Sequence, residues 1–130
     1  MIDKEQYQHM SQNELNAKLL NACFWGHLEV VQYLLTSPEL KEHADIHYKN
    51  DVGMNALKVV CVWGRLDVVQ YVVIDMNTKI DEDTMSWLRG NNEQKKVYQE
   101  TIRLIEKRNL YYKLNKNNTN KDIKGKNFKL

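Results

Sequence analysis

Apolar residues return along this chain at helical spacing. Leu57, Val60 and Cys61 stand at i, i+3 and i+4, one stripe of a helix that starts near Asn55. Gly64 ends it, a position where positive φ lets the backbone serve the last carbonyls. The run Leu66 to Asp75 restarts at once. Val68, Val69, Val72 and Val73 give it a broad buried face, while Gln70 looks outward. These β-branched residues alone would also suit a strand. The same Leu-acid-Val-Val-Gln-Tyr order at Leu28 to Leu35, again after a glycine, decides for helix.

That recurrence is a repeat. Cys23-Phe24-Trp25-Gly26-His27-Leu28-Glu29-Val30-Val31-Gln32-Tyr33 matches Cys61-Val62-Trp63-Gly64-Arg65-Leu66-Asp67-Val68-Val69-Gln70-Tyr71 at an offset of 38, with eight of eleven positions identical. A period of this size implies stacked units, none of which buries its own apolar face alone. Each unit reads as two short antiparallel helices. Between the units, Asp45 to Gly53 is polar, and Asn50-Asp51-Val52-Gly53 is a turn signal.

The flanks read as caps. Ser11-Gln12-Asn13-Glu14 is a capping box, so a helix from Gln12 to about Phe24 carries Leu15, Leu19, Ala22 and Cys23 on one side. After Met76 a third unit is degraded, with Thr84 to Gly90 in place of an inner helix. Glu93 to Arg108 follows as a capping helix. Its apolar face is Val97, Tyr98, Thr101, Ile102, Leu104 and Ile105, backed by Lys95, Lys96, Arg103 and Lys107. From Lys113 the composition changes. Residues 113–130 hold six lysines and one aspartate, a charge of +5, and the rest of the chain carries −3. Low hydrophobicity and high charge predict a disordered tail. The expected layout is a repeat domain over 1–112, with units at about 13–44, 45–79 and 80–112, followed by that tail.

Composition narrows the function classes. In 130 residues with 19 basic and 17 acidic side chains, the net charge of +2 excludes a histone-like polycation. One proline and five glycines are too few turn signals for a many-stranded fold. No run reaches the roughly 20 apolar residues that cross a bilayer, and the polar start is no signal peptide. Two cysteines cannot frame a disulfide scaffold, which points to a cytoplasmic location.

The run Trp25 to Leu35, followed by Ala44-Asp45-Ile46-His47 and Asn50-Asp51-Val52-Gly53-Met54-Asn55-Ala56-Leu57, resembles an ankyrin repeat. The resemblance covers about residues 13 to 76. It implies an all-α solenoid of helix-turn-helix units with β-turn fingers, no catalysis, no cofactor or metal, and a protein partner bound by inner helices and finger tips. Two departures stand out. The family's Thr-Pro-Leu-His is Asn55-Ala56-Leu57-Lys58 here, which weakens the expected bonds between neighbouring repeats. The offset of 38 exceeds the family's 33, and Ser37-Pro38-Glu39-Leu40 accounts for the excess. Lysine outnumbers arginine 15 to 4 and asparagine is frequent. Small proteins of this look resemble those of bacteria, phages and large viruses, which suggests an inhibitor or effector acting on a host or defence protein.

The expected partner surface comprises Phe24, Trp25, Val62 and Trp63 with the finger residues Tyr48, Lys49, Asp51, Val52 and Met54. The competing assignment has the two indoles stacking on each other inside the array. Trp87, Tyr33 and Tyr71 read as structural. Catalytic signatures are absent: no Gly-x-Ser-x-Gly elbow, phosphate-binding loop or His-Glu-x-x-His. Cys23 and His27, at i and i+4, are the nearest thing to a nucleophile–base pair, but Cys23 takes a small buried position. His43 and His47 would join a metal site only if the fold brought them together. The lysine tail is the basis of an alternative, nucleic-acid binding. It lacks arginine and, Phe128 apart, aromatics.

Overall fold

The structure is a computed structural model that describes residues 2–91 and 96–116. Among these residues every regular element is helical and no strand forms. The chain divides into two compact units, Met1–Val69 and Gln70–Leu130.

The first unit opens with a 3-10 turn, Lys4–Tyr7, that buries Tyr7 against Tyr33, ring centroids 5.9 Å apart. Helix α1, Gln12–Trp25, starts at the expected capping box. Ser11 Oγ accepts from the Glu14 amide at 3.2 Å, and Glu14 Oε1 accepts from the Ser11 amide at 2.9 Å. This bonding to Ser11 holds the Glu14 carboxyl below its usual range. Leu15, Leu19, Ala22 and Cys23 are buried, the face the periodicity predicts. So is Asn16, whose Oδ1 accepts from the Asp45 amide at 2.7 Å and so pins the following loop to α1.

Helix α2, Leu28–Thr36, buries Val31, Tyr33, Leu34 and Leu35. The extra length of this repeat is a turn at Ser37, whose Oγ accepts from the Glu39 amide and whose carbonyl accepts from Leu40. His43 Nε2 also donates to that carbonyl, at 2.6 Å. Helix α3, Ala56–Val62, is capped by Asn55 Oδ1 on the Lys58 amide at 2.9 Å and packs on α1. Helix α4, Leu66–Gln70, buries Val68 and Val69.

In the second unit, Tyr71–Asp75 takes the wider π-helical winding, closed by the Met76 amide on the Tyr71 carbonyl at 2.9 Å. Asn77 follows at φ 50°, and the chain turns away. Helix α5, Glu82–Asn91, begins at Asp81, whose Oδ1 accepts from the Thr84 amide at 2.8 Å. It packs on helix α6, Lys96–Asn115, with Trp87 tilted on Tyr98 at 5.1 Å. Tyr98, Thr101, Ile102, Leu104 and Ile105 are buried as expected. Arg108 is buried too. Its Nη1 donates to the Val73 carbonyl at 3.0 Å and the Thr78 carbonyl at 2.6 Å, while Nε and Nη2 reach Asn109 Oδ1. Burial lowers the pKa of this guanidinium. Helix α6 continues to Asn115, and most of the expected tail, residues 117–130, lies outside the described residues.

Candidate functional site

The site grows from two loops built alike. In the first, the Gly26 amide bonds the Cys23 carbonyl, the His27 amide the Ala22 carbonyl, and the Leu28 amide the Gly26 carbonyl. Gly64, Arg65 and Leu66 repeat this pattern on Cys61, Val60 and Gly64. Gly26 and Gly64 sit at φ 72° and 69°, the left-handed region that favours glycine. The preceding tryptophan therefore comes at the equivalent point of both repeats, as the last residue of α1 in one and the C-cap of α3 in the other.

Phe24 lies between the two indoles. Its ring meets Trp25 edge-on at 4.9 Å and Trp63 edge-on at 4.5 Å, both favourable aromatic geometries. Trp25 is 56% and Trp63 50% exposed, a large apolar area left to solvent. Neither indole makes a ring contact with the other. Phe24 and Val62 are half-buried beside them.

One cation holds the two loops together. Arg65 Nε donates to the Phe24 carbonyl at 3.0 Å. In a continuing helix that carbonyl would take the Leu28 amide, which instead turns to Gly26. A positive charge also suits the C-terminal end of a helix. The Arg65 stem crosses Gly26 so closely that a Cβ there would stand 2.8 Å from Arg65 Cδ.

The residues of the expected β-turn finger form a tight turn. The Gly53 amide bonds the Asn50 carbonyl at 2.9 Å and the Asn50 amide the Met54 carbonyl at 3.0 Å. Asn50 Oδ1 accepts from both Val52 and Met54 amides. Val52, at the tip, is 79% exposed; Lys49 and Asp51 are exposed, and Tyr48 and Met54 half-buried. Buried Lys58 ties the turn to α3 by donating from Nζ to the Gly53 carbonyl at 3.1 Å. The structure thus joins Phe24, Trp25 and Trp63 in one ring cluster and anchors the turn separately through Lys58.

The chemistry available elsewhere is limited. Cys23 and Cys61 are buried free thiols, and burial pushes the Cys23 thiol up to about 12, far from a reactive thiolate. His27 is exposed, beyond the Gly26 break. Among the described residues no three His, Cys, Asp or Glu side chains gather to hold a metal. No described helix is long and apolar enough to cross a membrane.

Sequence reasoning missed Arg65, Asn16 and Lys58. Arg65 stood in plain view as the substitution for His27 within an otherwise matching repeat, and that departure was the available signal.

No curated protein and no solved structure matches the chain. A family model described as ankyrin repeats (many copies) matches residues 19–73, the stretch that holds both glycine loops, the ring cluster and the turn. Repeats of this kind generally mediate protein–protein interaction and are typically non-enzymatic. Residues 19–73 are thus similar to ankyrin repeats, in keeping with the all-helical fold and the two loops built alike.

Proposed function

We propose that this chain binds a partner protein through the aromatic cluster of Phe24, Trp25 and Trp63, with Val62 beside it and the turn Tyr48 to Met54 as a second contact. The observation that carries the reading is the pair of half-exposed indoles buttressed by one phenylalanine. Burying such rings under a partner gains much apolar area at low entropy cost, which is why tryptophan is enriched among residues that dominate interfaces. An array this short suits occupation of one partner surface. The narrower form of the proposal is therefore a compact inhibitor or adaptor, of the phage or effector kind, acting on a host or defence protein in the cytoplasm.

The test is capture of a partner from native-host lysate by the wild-type chain, then affinity measurement with Trp25→Ala and Met54→Ala. Each variant should weaken binding by about 1 kcal/mol or more while remaining folded. Normal binding by both folded variants would remove this surface from consideration.

A further inference from the structure

The Arg65–Phe24 bond links the loop of the second repeat to the last helical turn of the first, across 41 residues of sequence. One ring contact of Phe24 crosses the same junction, to Trp63, while the other stays within the first repeat, to its neighbour Trp25. The backbone bonds within each loop fix each tryptophan relative to its own helix, but they do not link the two loops. Arg65 does, through its donor on the Phe24 carbonyl and its stem over Gly26. His27, the equivalent residue in the first repeat, is exposed, and no side-chain bond from it caps α2.

From these relationships we infer that Arg65 is a positioning residue for the partner surface: it sets the separation and tilt of Trp25 and Trp63 by clamping the Phe24 carbonyl. Its functional meaning rests on the protein-binding reading above, yet the clamp itself is tested without any partner. The consequence is specific. The donor at the ε position matters, and charge at that point is secondary, because Nε is the atom that meets the carbonyl. A glutamine places its amide nitrogen at the same number of bonds from the backbone. A methionine keeps the length and supplies no donor.

The experiment uses the full chain carrying Trp87→Phe, so that the long-wavelength indole bands of the near-UV circular dichroism and acrylamide quenching of indole fluorescence report on Trp25 and Trp63 alone. Arg65→Gln should keep the indole near-UV bands and the quenching of the parent chain. Arg65→Met should lose much of the near-UV signal and quench more readily, with unchanged far-UV helicity. The inference is overturned if Arg65→Met leaves both readouts as in the parent. It is also overturned if Arg65→Gln changes them as much as Arg65→Met does. Should Arg65→Met fail to fold, Arg65→Gln decides alone: retained bands support the clamp, and lost bands refute it. None of these readouts depends on capture, so failure of the clamp and failure of the binding surface are separately visible.

Discussion

Arg65 Nε stands 3.0 Å from the Phe24 carbonyl, and through that bond the second repeat completes the helix end of the first. The repeats are held together here by a polar contact at the same junction where their aromatic rings meet. Stability and presentation of the candidate surface are therefore coupled at one point.

Substituting two positive-φ glycines, Gly53 and Gly26, separates backbone strain from this contact. At Gly53 a Cβ would meet nothing within 4 Å, so Gly53→Ala should cost only the left-handed backbone penalty, about 1–2 kcal/mol. Gly26→Ala should cost more, because its Cβ displaces an Arg65 stem anchored at its head. Denaturant midpoints check this. In an Arg65→Ala background the cost of Gly26→Ala should fall to that of Gly53→Ala.

Alkaline conditions should expose the burial of Cys23. Its folded thiol titrates at about 12 while an unfolded cysteine titrates at about 8.5. The neutral form thus favours the folded state: its contribution is complete below about pH 8.5, declines above it, and is lost as pH rises through the folded value. The slope approaches about 1.4 kcal/mol per pH unit for this one group. Cys23→Ala should flatten the fall in melting temperature above that pH, and at neutral pH a thiol reagent should modify Cys23 only on unfolding.

Much of this architecture was legible in the chain. The offset of 38, the Ser11–Glu14 box and the buried sets on α1 and α6 follow from periodicity and capping, which are local rules. Phe24 and the two indoles were also foreseen as surface candidates, and the structure adds the ring contacts of Phe24 to both indoles. What periodicity does not encode is where a long polar side chain finds its carbonyl. Arg65, Lys58 and Arg108 are charged residues that a sequence assigns to solvent, and each reaches a backbone oxygen supplied by a turn or helix end. The π-helical winding at Tyr71–Asp75 was illegible too, because its valine pattern also suits an α-helix.

Arg108 illustrates the cost of such placements. Replacing it with methionine keeps much of the apolar stem but leaves the Val73 and Thr78 carbonyls without this donor. An unsatisfied buried polar group costs about 1–3 kcal/mol, so Arg108→Met should lower the melting temperature clearly. By comparison, Arg103→Met should do little, since Arg103 is exposed and, among the described residues, pairs only with Glu100 on the same helix face.

Tyr33 makes the opposite case. Its hydroxyl is buried with no hydrogen-bond partner among the described residues, while its ring packs on Tyr7. Tyr33→Phe keeps the ring contact and removes the unpaired group. Thermal melts should show equal or higher stability, and a clear loss would mean that the hydroxyl has a partner in solution.

The central claim is that the aromatic cluster meets the partner, and titration calorimetry of the captured partner against four folded variants tests it most directly. Trp25→Ala and Trp63→Ala remove the two exposed indoles; Gln32→Ala and Gln70→Ala alter the second helices of the repeats. Melting curves taken in parallel ensure that only folded protein is compared. Each indole variant should bind at least about fivefold more weakly, as a contact worth about 1 kcal/mol requires, and both glutamine variants should bind as wild type. Normal binding by both indole variants, with loss in the glutamine variants, would contradict that claim.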